Sequence, residues 1–429
     1  MGWNAMTTTN TDALAIAEGT PARSTPPEAP LPGLLAYTED EERAVVEVIR
    51  SRNLYRFMGD EGDSPARQLE LEMAEANGTK HALAVTSGTA ALLCSLQGLG
   101  VGPGDEVIVP AFCWIASVSA ILAIGAVPII TEVDDSLTLN PDAVRANISP
   151  YTKAIMPVHM RGVPANMTAI VEVAKEHGLL VLEDTAQANG GSFGGKALGS
   201  IGDVGAFSLQ ASKIITTGEG GMVITDDDEV YTRATMFHDP FASRLVEVPE
   251  SRLMWGLNFR MNEMIAAAGR VQLAKRKRIV DAMRVRKGLI KNGIGEVAAE
   301  KGVGFRRLHD EEGDTAVSLV MFLPTQEDAG RVGTALAAEN ISAGRMFDPE
   351  GVDQHVYASW YSVLNKMQWS EAGGPWTWAR REVEYSPDMC PASTDLLSRA
   401  VQLHVMPTMS NTDVEETIDG TIKVLSALL

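Results

Sequence analysis

Between residues 81 and 225, short unbroken apolar runs alternate with helical patterns, and few folds accommodate that alternation. "ALAVTS" (82–87), "EVIVPA" (106–111), "VPIITEV" (127–133), "KAIMPVH" (153–159) and "LLVLED" (179–184) have the length and Val/Ile/Leu content of buried strands. "TAALLCSLQGL" (89–99) and "NMTAIVEVAKEHG" (166–178) lie between them with helical spacing. Strands apolar on both sides need cover on both sides, so the pattern predicts an α/β fold with a mostly parallel central sheet. "GAFSLQ" (205–210) and "GMVITDD" (221–227) add two more strands. A long helix is expected over about 262–291, then a strand in "TAVSLVMFLP" (315–324), a helix in "EDAGRVGTALAAENI" (327–341) and a closing helix at 414–429. The chain thus divides into a leader (1–33), a large domain (34–279) and a smaller α+β domain (280–429). The leader is rich in Thr, Ala and Pro without apolar periodicity and is expected to be flexible or surface-hugging. Thr38 in "TEDEERAVVEVIRSR" is placed to cap the first helix.

The charge balance narrows the function. Against 36 basic residues stand 56 acidic ones, a net charge of −20. That argues against nucleic acid, which requires a basic footprint, and against an anionic membrane surface. The basic run "KRKRIVDAMRVRK" (275–287) reads as the solvated face of a helix. Cys94, Cys113 and Cys390 form no CxxC pair, and the seven histidines show no HExxH spacing, so no metal site is expected. No apolar run is long enough to span a membrane, and no secretory signal opens the chain. A cytoplasmic protein is expected.

Four stretches at strand ends carry chemistry. In "AVTSGTAALL" (84–93) a strand runs through Ser87-Gly88-Thr89 directly into a helix, giving either a plain N-cap or an anion site on exposed N–H groups. In "LLVLEDTAQANGG" (179–191), Glu183 and Asp184 close an apolar strand and Gln187 follows. A buried carboxylate there needs a partner, either an arginine or a protonated cofactor ring. In "FSLQASKIITTGEGG" (207–221), Lys213 precedes the glycines, unlike the lysine of a Walker A loop. A lone loop lysine is ordinarily a surface charge, but apolar neighbours such as Ile214 and Ile215 would desolvate it and favour Schiff-base chemistry. In "PAFCWIAS" (110–117), Trp114 either joins the core or stacks on a planar ring. Pyridoxal 5′-phosphate accounts for all four, because it takes a lysine, an acid at its ring nitrogen, an aromatic face and a phosphate pocket.

The stretch "EDTAQANGGSFGGKALGSIGDVGAFSLQASKIITTGEGGMVITDD" (183–227) resembles the signature of the DegT/DnrJ/EryC1/StrS aminotransferases. "TSGTAAL", "GDEVIVPAFCWIAS" and "WGLNFRMNEMIAAAGRVQLAK" (255–275) match further landmarks of that family, and "LAIAEGTPARS" (14–24) resembles the leader of some members. The resemblance implies a fold-type-I pyridoxal phosphate enzyme, aspartate aminotransferase-like. It implies that Lys213 is the Schiff-base lysine, that Asp184 pairs with the ring nitrogen, that Gln187 contacts the 3-hydroxyl oxygen and that Trp114 stacks on the ring. Phosphate would lie on the N–H groups of Gly88 and Thr89, the Ser208 hydroxyl, and Asn258 from a neighbouring subunit. A homodimer with active sites at its interface follows from that last role. The implied reaction takes an amino group from L-glutamate or L-glutamine by a ping-pong route through pyridoxamine phosphate. The acceptor is a keto-sugar, keto-sugar acid or cyclitol ketone, in amino-sugar or natural-product biosynthesis. Because position 213 is lysine, the dehydratase branch with histidine there does not apply.

"NLYRFMG" (53–59), "EEGDTAVSLVMFLPT" (311–325) and "DLLSRAVQLHVMP" (395–407) are similar to the branch containing 8-amino-3,8-dideoxy-manno-octulosonate transaminase, and "NFRMNE" to 3-amino-5-hydroxybenzoate synthases. Both act on substrates without a nucleotide, so the expected acceptor is small. A nucleotide-linked 3- or 4-keto-sugar, or a lyase reaction on the same fold, are the alternatives. Arg56, Arg161 and His238 are candidate substrate contacts, each with a structural reading beside it: ion pairs for the arginines, a surface loop for the histidine. "WSEAGGPWTW" (369–378) is expected to be a loop with partly buried tryptophans.

Overall fold

The apolar runs pair into one seven-stranded sheet in the computed structural model, which describes residues 13–58, 61–242 and 245–429. The strands are β1 (His81–Val85), β2 (Glu106–Pro110), β3 (Val127–Thr131), β4 (Thr152–Ile155), β5 (Leu180–Asp184), β6 (Val204–Ser208) and β7 (Gly221–Thr225). Their spatial order is β1-β7-β6-β5-β4-β2-β3. Neighbours from β6 through β5, β4 and β2 to β3 are parallel, and β7 alone runs against both β1 and β6. The expected mostly parallel sheet is present.

Alternation along each strand explains why helices lie on both sides. In β1, Leu83 and Val85 enter one core with the helix α1 (Gly88–Gly98), whereas Ala82 and Ala84 enter the opposite core. That second core holds Leu69 and Met73 and the inward residues Ile279, Val280 and Met283 of the long helix α2 (Glu263–Glu300). Asn262 caps α2 through its side chain on Ile265 N. The expected helix therefore forms, extended to Glu300, and it passes through residue 280 without a break.

A four-stranded antiparallel sheet follows, built from β8 (Gly304–Phe305), β9 (Ser318–Phe322), β10 (Ala343–Arg345) and β11 (Ala400–His404) in the order β8-β9-β11-β10. Two helices cover it, α3 (Gln326–Ala338) and α4 (Asn411–Leu428).

The described part of the leader, residues 13–33, is docked rather than free; residues 1–12 lie outside the described residues. The amides of Ala15 and Ala22 donate to the buried Glu339 carboxylate (2.8 and 2.7 Å), which Lys423 also meets at 3.0 Å. Arg23, itself buried, is ion-paired with Asp413. At its end Gly33 N donates to the carbonyl of Lys213 (3.1 Å), and a Cβ at Gly33 would fall 2.7 Å from that oxygen. The leader thus ends against the loop that carries the lysine.

The tryptophan-rich loop divides. Trp376 packs partly against the core, and a short helix forms at Pro375–Trp378, but Trp369 is 96% exposed. Among the described residues no helix is long and apolar enough to cross a membrane.

Candidate active site

Four of the sheet's strands end around one cavity of about 500 Å³, which is the size of a small-molecule site. Parallel strands all point their C-terminal ends the same way, so the loops that follow β1, β2, β5 and β6 gather at one edge. Ser87-Gly88-Thr89 follows β1, Trp114 follows β2, Asp184 and Gln187 end and follow β5, and Ser208 and Lys213 end and follow β6. All of them line the cavity.

Asp184 is buried at its strand end. Ser117 Oγ donates to Oδ2 (2.7 Å) and Ala186 N to Oδ1 (3.1 Å). Burial nevertheless raises its pKa, with these hydrogen bonds and the Lys213 charge only partly offsetting the lost hydration. Glu183, one residue earlier, points to the other face, where Gly199, Ile201 and Gly202 N–H groups and His159 Nε2 (3.0 Å) satisfy it. Strand alternation thus separates a satisfied structural acid from one that still lacks a cation.

Lys213 shows the matching deficit. Burial lowers its pKa, Asp184 opposes that, and the Arg161 charge adds to it. Its amine is therefore neutral at a lower pH than an ordinary lysine, which is the nucleophilic form.

The helix start at Gly88 is equally specific. Ser87 Oγ accepts from Ala90 N (3.1 Å) and caps α1. The helix's first N–H groups, on Gly88 and Thr89, have no intrahelical acceptor, and both residues line the cavity. Ser208 lies directly across: a Cβ on Gly88 would sit 2.7 Å from the Ser208 Cβ. Gly221 keeps β7 against this turn, since a Cβ there would be 2.3 Å from the Ser87 carbonyl oxygen. The glycines after Lys213 let the chain pass close to the anion site.

Trp114 is 45% exposed, on the cavity wall and not in the core. His355 packs against it with ring centroids 4.8 Å apart. Gln187 Oε1 accepts from Arg161 N (3.0 Å), which leaves its amide N–H groups to face a ligand. The set fits pyridoxal 5′-phosphate: an unbalanced buried acid for the ring nitrogen, a depressed amine, an aromatic wall, and a helix start too tight for any side chain at position 88.

Three expected site residues lie elsewhere. Arg56 makes a bidentate pair with Glu70 (3.0 Å to each oxygen) and does not line this cavity. Asn258 is exposed and lies outside its own chain's cavity. His238 is neither in the cavity nor on a surface loop: it ends a helix (Asp228–His238) fully buried, with both ring nitrogens unpartnered.

Burial lowers the His238 pKa to about 3, with Arg56 adding to the effect. The unfolded chain, with histidine near 6.5, takes up the proton first, so stability is intact above about pH 6.5 and falls as the pH drops toward the folded value. Unfolding free energy should fall by about 2 kcal/mol from this one residue between pH 7 and pH 5. Denaturant titrations of the wild type and His238→Asn across that range check it; an equal slope in both would remove His238 as the cause.

Several contributors escaped the sequence reading. Ser117 holds Asp184 from the first turn of the helix that follows Trp114, a spacing of three residues that was available as a signal. Pro30 and Pro32 of the leader also line the cavity, as do Ser318, His355 and His404 from the second half of the chain.

Residues 36–372 match the DegT/DnrJ/EryC1/StrS aminotransferase family. The chain is 36% identical over 348 residues to an L-glutamine:2-deoxy-scyllo-inosose aminotransferase of Streptomyces kanamyceticus, covering 76% of this chain and 78% of that one. It is 43% identical over 214 residues to a GDP-perosamine synthase of Caulobacter vibrioides, covering 48% of this chain and 56% of that one. The chain thus spans little more than half of the second relative. Among solved structures, a 3-amino-5-hydroxybenzoic acid synthase superposes with a TM-score of 0.77 at 28% identity, over 95% of this chain and all of that one.

Proposed function

The chain belongs to the DegT/DnrJ/EryC1/StrS aminotransferase family, whose cofactor is pyridoxal 5′-phosphate, and we propose that it moves an amino group from L-glutamate or L-glutamine to the ketone of a sugar, sugar acid or cyclitol. One observation carries this reading: the depressed Lys213 amine and the unbalanced Asp184 carboxyl share one cavity with the Gly88 helix start. When bound, the cofactor supplies an aldehyde for amines and an electron-accepting ring.

The chain's own residues do the rest. Lys213 would hold the cofactor through Nζ, and the same amine would serve as general base and acid for the substrate Cα proton. Asp184, kept in place by Ser117 and Ala186 N, would keep the ring nitrogen protonated. Trp114 and Gln187 would hold the ring, and Gly88, Thr89 and Ser208 the phosphate, with Asn258 contributed by a second copy. The exposure of Leu253, Trp255 and Leu257 beside Asn258 supports a homodimer interface there.

The same reading divides the chain near residue 280, with α2 as a spine shared by the two sheets. Three buried free cysteines and the absence, among the described residues, of a membrane-crossing helix support a cytoplasmic setting. The likeness to GDP-perosamine synthase favours a second reading, a nucleotide-linked keto-sugar acceptor.

Absorbance tests the proposal directly. The purified protein should be yellow, L-glutamate or L-glutamine should bleach it, and an accepted ketone should restore the colour. Borohydride should fix the cofactor to Lys213. A yellow protein that neither amino acid bleaches would point to a lyase instead.

A further inference from the structure

Arg161 is the cavity group that neither the cofactor nor the protein uses. It sits in the turn Met160–Gly162 with φ +53° and ψ +36°, a left-handed conformation that side-chain-bearing residues seldom adopt. The turn is held from two sides. Gln187 accepts from Arg161 N, while the Gly162 carbonyl accepts from Thr315 N (3.0 Å) and Oγ1 (3.3 Å). A backbone this constrained fixes where the guanidinium enters the cavity.

Among the described residues the Arg161 guanidinium makes no hydrogen bond or ion pair to an acceptor, and its Nε is buried without a partner. Arg56 is paired with Glu70, whereas Arg306 donates to the carbonyls of Ser136 and Leu137 and, like Arg161, keeps one buried nitrogen without a partner. Asp353, whose charge acts on Arg161, accepts from the His355 backbone N–H and Nδ1 through Oδ1 (2.8 Å each) and lies outside ion-pair distance of Arg161. Around Arg161 the cavity presents His355, His404 and the unpartnered Ser318 Oγ. Burial, with the Arg161 charge adding to it, holds both imidazoles below their ordinary pKa, His404 down to about 4, so both are neutral near pH 7. A guanidinium whose Nε is buried without a partner, standing beside uncharged imidazoles, suits an anion with two in-plane oxygens.

We propose that Arg161 binds a substrate carboxylate in this cavity. The inference rests on the aminotransferase reading, and the carboxylate belongs either to the amino donor or to an acidic ketone acceptor. In the second case the enzyme favours a sugar acid over an uncharged polyol ketone.

The test uses the full-length protein with its cofactor, as wild type, Arg161→Gln and Arg161→Lys. Calorimetric titration with glutarate, which carries no amine or ketone to react, should show binding that Arg161→Gln weakens roughly 30-fold or more and Arg161→Lys partly restores. Uncharged scyllo-inositol should show no dependence on residue 161. Single-turnover bleaching by L-glutamate and colour return with 5-keto-D-gluconate or scyllo-inosose then locate the carboxylate. A raised half-saturation for L-glutamate assigns it to the donor; a loss confined to 5-keto-D-gluconate assigns it to the acceptor. Unchanged glutarate affinity in a folded, yellow Arg161→Gln variant overturns the inference, while intact bleaching in that variant leaves the aminotransferase reading standing.

Discussion

Lys213→Ala should lower turnover by roughly 10⁴-fold or more, since it removes both the covalent anchor and the proton carrier. No neighbour can substitute. The other titratable groups on the cavity wall are Asp184, fixed by Ser117 and Ala186 N, the Arg161 guanidinium, the neutral imidazoles of His355 and His404, and Glu219 on the loop after the lysine. The fold should survive, because the methylene stem ends in a cavity and the loop is held by its backbone: Lys213 N donates to the Gln210 carbonyl (2.9 Å) and Gly33 N to the Lys213 carbonyl. The measurement is the single-turnover rate with either amino donor. Partial recovery on adding a small primary amine would identify the missing group as an amine rather than a structural prop. Wild-type rates in this variant would remove Lys213 from the mechanism.

Asp184→Asn should cost roughly 10²–10³-fold in turnover, the loss expected when one partner of a buried charge pair is taken away. Its effect on stability should have the opposite sign in the cofactor-free protein. The unfolded carboxyl titrates near 3.9, and burial raises it in the fold. The folded state therefore binds the proton more tightly, so stability falls as the pH rises through that window. At neutral pH the charge is a liability that asparagine removes without changing shape. Melting curves with and without cofactor separate the two effects. The variant should melt higher than wild type without cofactor and gain less from its addition. A variant less stable in both states would make Asp184 a structural residue.

Much of the site was legible in the sequence because it is local. Ser87-Gly88-Thr89, Trp114, Asp184, Gln187, Ser208 and Lys213 each lie within a few residues of a strand end, and apolar runs announce strand ends. The capping role of Thr38 and the span of α2 are local in the same sense. The small sheet was mostly illegible: β8 has two residues and β10 three, too short for alternation to register. Arg56 and His238 lie outside the cavity of their own chain, which local sequence does not reveal. A charged residue and a histidine in turn-like sequence resemble ligand contacts until burial and the Glu70 carboxylate come into view.

The sequence by itself determined the parallel sheet, the lysine and the acid, since periodicity and strand-end chemistry are properties of neighbouring residues. Tertiary structure alone decided that the two share one cavity, that Glu183 faces away from it while Asp184 faces in, and that the leader ends against the lysine loop. It alone showed that, among the described residues, the Arg161 guanidinium has no carboxylate within ion-pair distance while Arg56 has one. The reason is physical: pKa, hydration and pairing depend on what surrounds a group, and here the partners stand as far apart in the chain as Gly33 and Lys213.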